Sequence, residues 1–503
     1  MAVIRKRSGW TVLIAGTCVA LLACGSQVPP KDYVGAQGNL YGANSSGAVV
    51  NPTTGATESA GANGGGTPIT GTTGTATNTG GGGGGGGTGG GGGGTTTTKT
   101  TSTGGGGGSS GGGKIGTGVQ VQVASCAGFK NTTGISNSTI NLANVADVSG
   151  PVSGLFAGAQ QAMKAFVAYF NSTSSICGRK LSATYLDSQT SETGDQQATT
   201  TACGSAFAMV GSMGAFDGGG TSEVTHCGIP DLRAAVTESV RLTSPDVFAT
   251  QSLNANYEPE APPDYYLSAF GKDVAQHAAF VYLDAGASSY NAKQEMKSWT
   301  ARGFKFVYSA GIPVTEFNYA TYVSAMQSKS VKYVQYVGAY QEAVTLAKAM
   351  AQQNFKAKLV FDPEVYDPGF ISSGGSAVNG AHVWINSAIF EEASSNPEMQ
   401  LYEKWLSITS PGKSPNYFGL YAWAAGELFV QEALKLGGKL TRASLIASLK
   451  TVNNYTGNGL FGPQHVGQKL TGGCYGFITL VNGKWTREGP KPFSCQGLVH
   501  VGS

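Results

Sequence analysis

From Thr139 onward, polar and apolar positions fall into short blocks of two kinds. Thr139-Ile140-Asn141-Leu142-Ala143-Asn144-Val145 alternates with the period of two that marks a half-buried strand. Ser149-Gly150-Pro151 then breaks the pattern, and residues 157–170 repeat their apolar positions at helical spacing. The same reading predicts a strand over 181–186, a helix over 196–205 and a strand over 206–211. Further strands are expected at 278–283, 304–308, 333–337 and 359–361, with helices at 291–302 and 342–353 among them. Short apolar strands alternating with amphipathic helices imply a parallel sheet covered by helices on both faces. The fold class is α/β.

The first 118 residues follow none of these patterns. Thirty of the 77 glycines lie between Gly61 and Gly118, among threonines and with almost no large apolar side chain. Such a segment cannot bury enough surface to offset its backbone entropy. Residues 24–118 therefore read as a tether, with an average reach of roughly 50 Å for a glycine-rich chain. Ahead of it, Arg5-Lys6-Arg7 and the apolar run from Trp10 to Ala23 have the form of an export signal over residues 1–23. The run is short for a membrane span, which needs about 20 residues. Leu21-Leu22-Ala23-Cys24 resembles the lipobox of bacterial lipoproteins, which implies a lipid on Cys24; the alternative is an ordinary cleaved signal with an incidental cysteine. The foldable part is 119–503.

Charge and cysteine content narrow the setting. The formal net charge is +3, and Arg5, Lys6 and Arg7 account for as much. Residues 119–503 are close to neutral and carry no basic run, which argues against a nucleic-acid partner. Beyond Cys18 and Cys24, six cysteines remain: Cys126, Cys177, Cys203, Cys227, Cys474 and Cys495. An even number in an exported chain suggests three disulfides, for which about 15 connectivities exist. The favoured pairs are Cys474–Cys495, closing a hairpin, Cys203–Cys227, and Cys126–Cys177, tying the incoming segment to the first lobe. No pair has CxxC spacing, so no zinc site is expected.

In open parallel sheets ligands bind beyond the carboxyl ends of the strands. That rule selects residues 149–156, 214–220, 235–238, 284–290, 338–340 and 362–366, segments rich in Tyr, Thr, Gly and acid. Enzyme signatures are weak. Gly457-Asn458-Gly459-Leu460-Phe461-Gly462 fits GxGxxG, but no clear strand precedes it and Pro463 follows. Ser410-Pro411-Gly412-Lys413 fits SxxK by letter only, with no KTG elsewhere. HExxH, GxSxG and Walker motifs are absent, and the five histidines show no metal spacing. Neither catalysis nor a cofactor or metal is expected.

At the selected loops the chain resembles the type I periplasmic binding proteins of the branched-chain amino acid (Leu/Ile/Val) class, which deliver solutes to ABC importers. The likeness spans about residues 137–490. Its carriers are Asp147-Val148-Ser149-Gly150-Pro151, Val236-Thr237-Glu238, Leu283-Asp284 with Ser289-Tyr290, and the pair Tyr336-Val337-Gly338-Ala339-Tyr340 and Phe361-Asp362-Pro363-Glu364. The order and spacing of these motifs, more than any one of them, make the resemblance.

The resemblance implies two lobes, each a parallel-sheet α/β sandwich, joined by three crossovers. One lobe would take about 137–255 with 391–455, the other about 256–390 with 470–503. It also implies roles for single residues. Thr237 would offer hydroxyl and amide to an amino or carboxylate group, and Glu364 would pair with an ammonium. Tyr290 and Tyr340 would close over the ligand, and Phe156, or Leu155 in the neighbouring register, would add an aromatic or apolar wall. In the loop where relatives often carry serines, this chain has Gly214-Ala215-Phe216-Asp217-Gly218-Gly219-Gly220. Its amides could cradle a carboxylate, whereas Asp217 pointing inward would repel one, and a cationic, amide or polyol ligand then fits as well. The implied protein is an exported, lipid-anchored solute-binding protein whose partners are a small molecule, an ABC permease and the bilayer. A ligand sensor for a membrane receptor and a surface adhesin with a vestigial cleft are the alternatives.

Overall fold

The computed structural model describes residues 113–115 and 119–502; the expected export signal, Cys24 and nearly all of the expected tether lie outside the described residues. The first sheet consists of β1 (Thr139–Ala146), β2 (Lys180–Asp187), β3 (Ala208–Val210), β4 (Asp231–Ala235) and β5 (Val247–Gln251). Its order is β2-β1-β3-β4-β5, parallel throughout. The predicted strands near 139, 181 and 206 are all present. β4 and β5 were not among the predicted strands, and for β4 the reason is physical. Asp231 and Arg233 sit in a fully buried strand, so the letters look polar where the environment is not.

Two helices from distant parts of the chain cover one face of this sheet. Helix α1 (Ala157–Thr173) brings a run of small buried residues, Ala159, Ala162 and Ala165, together with Met163 and Phe166. The helix Tyr417–Leu436 packs across it and is buried from Tyr417 to Leu434. Gly426 is required at their contact, because a Cβ there would stand 2.3 Å from the Phe166 ring. Trp423 meets the same ring edge-on at 5.3 Å. Thr250 of β5 donates to the carbonyl of Tyr421, fixing the helix to the sheet.

The second sheet starts with five parallel strands: β6 (Ala278–Leu283), β7 (Phe306–Ile312), β8 (Tyr333–Val337), β9 (Lys358–Phe361) and β10 (His382–Ile385). β11 (Cys474–Val481) and β12 (Lys484–Glu488) extend it antiparallel, in the order β7-β6-β8-β9-β10-β11-β12. The expectation of a purely parallel second sheet is corrected at this edge: a tight turn at Asn482-Gly483, both at positive φ, joins β11 to β12 as a hairpin. The chain passes between the sheets three times, after β5, after β10 and before β11. At the first passage Tyr257–Pro259 pairs with the final strand, Leu498–His500, placing Val499 opposite Glu258.

Among the described residues three disulfides form, Cys126–Cys177, Cys203–Cys227 and Cys474–Cys495, with Cα separations of 5.4, 6.0 and 4.0 Å. These are the favoured pairs.

A buried ionic cluster anchors the carboxyl edge of the first sheet. Arg233 Nε lies 3.3 Å from Asp217 and its Nη1 lies 3.2 Å from Asp231. Arg241, in the turn after β4, reaches Asp231 at 2.8 Å and Asp195 at 3.1 Å, and it also donates to the carbonyl of Asp217. None of these five side chains is more than 1 % exposed. Removing one partner of such a cluster leaves a buried charge uncompensated and typically costs about 3–5 kcal/mol. Arg241→Met is therefore expected to lower the unfolding free energy by about that amount in urea titrations. A loss below about 1 kcal/mol would show that the cluster is no anchor.

Candidate functional site

The carboxyl ends of both sheets face a common cavity of about 90 Å3. The first sheet contributes Val236, Thr237, Glu238 and Ser239 after β4, and Gln251, Leu253 and Asn254 at the end of β5. The second contributes Val337 at the end of β8, Asp362, Pro363 and Glu364 after β9, Trp384 of β10 and Tyr475 of β11. Glu258 enters from the first passage between sheets. Asn291 and Glu295 enter from helix α2 (Ser288–Ala301).

Of the six residues singled out in sequence, Thr237 and Glu364 line this cavity and four do not. Phe156 is buried against Phe418, edge-on at 5.1 Å, at the start of α1. Asp217 is fully buried and faces Arg233 instead of the cavity. Tyr290 turns its hydroxyl to Asn256, donating at 2.7 Å. Tyr340 packs its ring against Gly369, where a Cβ would stand 2.5 Å away. Each of these four is thus held by a neighbour within the fold.

The glycine-rich loop does cradle carboxylates, but they are the chain's own. Asp147 accepts from the amide of Ala215 at 2.7 Å, Glu238 from Gly218 at 2.7 Å and Asp195 from Gly220 at 2.8 Å. Asp217 in turn accepts from the amides of Thr237 and Glu238, at 3.0 and 2.9 Å. The Thr237 hydroxyl donates to the carbonyl of Gly214 at 2.6 Å. Both groups that Thr237 was expected to offer a ligand are therefore engaged inside the first sheet's loops.

Elsewhere around the cavity several polar atoms have no such partners. Glu295 Oε1 and Glu364 Oε2 are buried without a hydrogen-bond partner in the protein, as are Gln251 Oε1, Trp384 Nε1 and Tyr475 Oη. Asp362 accepts from Gln335 at 2.7 Å, and Gln335 is itself held by the Tyr333 hydroxyl. Burial pushes the Glu258 carboxyl up to about 8 and that of Glu364 up to about 7. Burial first, then the neighbouring acids, hold Glu295 and Asp362 well above the usual carboxylate range, and the two share a hydrogen bond that favours the proton on Glu295. Glu238 is pushed up to about 7 by burial and by nearby acids.

Direct bonds join the two sets of loops around the cavity. Asn291 donates to the carbonyl of Thr237 at 3.2 Å, and the amide of Ala287 donates to the carbonyl of Ala215 at 3.3 Å. Sequence reasoning missed Glu258, Glu295, Trp384 and Tyr475. Only Glu295 left a signal: Ala292, Glu295 and Trp299 share one buried helix face, so an acid interrupts an apolar stripe.

Two sheets whose carboxyl ends enclose one polar cavity, connected by three passages, define a two-lobed α/β binding fold. The family model described as periplasmic binding protein matches residues 139–478, and the chain belongs to that family. Its fold is shared by solved structures of low sequence identity. A fatty acid ABC transporter substrate-binding protein from Thermomonospora curvata is 16 % identical, with a TM-score of 0.61 over 72 % of this chain and 94 % of that one. The branched-chain amino acid transporter substrate-binding protein of Streptococcus pneumoniae, in complex with isoleucine, is 15 % identical, with a TM-score of 0.60 over 71 % and 100 %. An R. palustris solute-binding protein in complex with benzoate is 18 % identical, with a TM-score of 0.59 over 72 % and 98 %. Comparison with curated protein sequences gives no match. Among the described residues, no helix is long and apolar enough to cross a membrane, and no cluster of His, Cys, Asp and Glu is arranged to hold a metal ion.

The raised carboxyls make stability depend on pH with a definite sign. A carboxyl whose folded pKa exceeds its unfolded value of about 4.3 contributes stability that is full below that value. That contribution is lost as pH rises through about 7 for Glu364 and about 8 for Glu258. Without added solute, the urea midpoint should fall between pH 5 and pH 8.5. Glu258→Gln should flatten that fall, and an identical slope in the variant would show that Glu258 titrates normally.

Proposed function

We propose that this chain is an extracytoplasmic substrate-binding protein that captures a small polar solute, an amino acid or a compound like one, for an ABC importer. Cys24 carries the lipid that anchors it, and the glycine- and threonine-rich segment lets the binding domain work away from the bilayer. The observation that carries the reading is the cavity itself, closed by loops from both sheets and lined by buried polar atoms that the protein leaves unpartnered. Pockets that combine enclosure with a few convergent polar groups are the usual sites for small ligands. The ABC transporter proteins that share the fold, with isoleucine or benzoate bound, support the same reading.

Capture works by differential affinity of two arrangements. Lobes of about 137–255 with 391–455 and 256–390 with 470–503 would rotate about the three passages. Opening breaks the Asn291–Thr237 and Ala287–Ala215 bonds and exposes the cavity to water. A solute that satisfies Glu364, Glu295 and Tyr475 in the closed arrangement shifts the population towards it, by no more than its difference in affinity for the two states. The closed form is then the one a permease recognises. Chemistry on the solute has no part in this scheme.

Thermal unfolding against a panel of amino acids, amides, amines, polyols and small acids tests the reading. A ligand at about a hundred times its dissociation constant adds about 2.7 kcal/mol, which should raise the midpoint by a few degrees. Glu364→Ala should abolish the shift while leaving the fold intact. If no solute stabilises folded protein, capture of small molecules is ruled out as its role and the adhesin reading takes over.

A further inference from the structure

The cavity's polar groups are not balanced between acid and base. Four carboxylates line it, Glu258, Glu295, Asp362 and Glu364, with Glu238 at its first-sheet side, and the lining contains no lysine, arginine or histidine. The nearest cations in the first sheet, Arg233 and Arg241, are already committed to Asp195, Asp217 and Asp231. The first sheet's loop donors are committed too: the amides of Gly218, Gly220 and Thr237 bind acidic side chains, and the Thr237 hydroxyl binds Gly214. What remains open is acidic oxygen together with neutral donors, among them Trp384 Nε1 and Tyr475 Oη. Glu295, only 4 % exposed, aims Oε1 into the site with no partner, and Glu364 Oε2 does the same. Trp384 and Tyr475 stand edge-to-face at 5.2 Å and supply aromatic surface beside these acids.

Resting on the solute-binding reading and narrowing it, we infer that the solute is a small organic cation, an amine, diamine or guanidine, that carries no free carboxylate. N–H groups on a cation would satisfy Glu295 and Glu364 by charge-assisted hydrogen bonds, the strong kind in a site shielded from water. The faces of Trp384 and Tyr475 would hold the same charge by cation–π attraction. A zwitterion or an acid would bring its carboxylate to a lining that holds four acidic side chains and no cation to pair with it, with the loop amides already taken.

Binding carries a proton signature. Glu258, Glu295, Asp362 and Glu364 hold protons more tightly than free carboxyls, and an arriving cation favours their ionised forms. Protons are therefore released on binding, and affinity rises from pH 6 to pH 8. A site that binds a neutral solute through hydroxyls shows neither effect.

The test uses the full chain and isothermal titration calorimetry with 1,4-diaminobutane, guanidinobutane, isoleucine, benzoate and calcium chloride. The amine or the guanidine is expected to bind, with heats that vary with the buffer's ionisation enthalpy. Asp362→Asn and Glu295→Gln should each weaken that binding by tenfold or more while the unfolding midpoint stays level or rises, because each replaces a carboxyl whose ionised form burial disfavours with a neutral amide. Binding of isoleucine or benzoate without the amines would overturn the inference and leave the solute-binding reading standing. Binding of calcium alone would replace the organic cation by a metal ion. Failure of all five, in protein shown by circular dichroism to be folded, would overturn the inference, and failure of the wider solute panel as well would overturn both.

Discussion

A charge buried without a partner is among the costliest things a fold can contain. In the first sheet that constraint is met inside the protein. Arg233 and Arg241 stand among Asp195, Asp217 and Asp231 with no access to water, and two of these acids hold the amides of the neighbouring loops. Asp217 holds the amides of Thr237 and Glu238, Asp195 holds Gly220, and Asp147 holds Ala215. The loop between β3 and the next helix is thus a rigid wall, although seven residues of glycine, alanine, phenylalanine and aspartate suggest a pliable one.

The second sheet meets the same constraint differently. Glu258, Glu295, Asp362 and Glu364 share a cavity with no cation among them, and burial holds their protons on. One wall is electrostatically complete and the other is not. That asymmetry gives the cleft a direction: the first sheet supplies mainly shape, and the second supplies most of the acidic groups still able to bond.

Much of the architecture was legible in the letters. Strands at 139–146, 278–283 and 333–337 showed themselves because apolar blocks met clear breaks, and the cysteine pairs followed from a short list of options. The site was read less well. Glu364 and Thr237 lay in loops that the strand-end rule selects, but the rule cannot say where a side chain points. Asp217 was read as a ligand-facing acid because its partner Arg233 sits in a strand too polar to be recognised. Glu258, Trp384 and Tyr475 reach the cavity only through pairings between segments far apart in the chain, such as Val499 with Glu258, and no local pattern encodes these.

The helix Tyr417–Leu436 lies against strands made from residues 139 to 251, and Leu498–His500 completes the ribbon that carries Glu258. The order of synthesis is therefore nearly the reverse of the order of completion. A chain emerging from its N-terminal end has all five strands of the first sheet long before it has the helix that seals them, and it lacks the last edge of the binding cavity until the final residues arrive. A partial polypeptide therefore lacks both the helix that covers its first sheet and the ribbon that carries Glu258, and interleaving the two halves makes each depend on the whole chain.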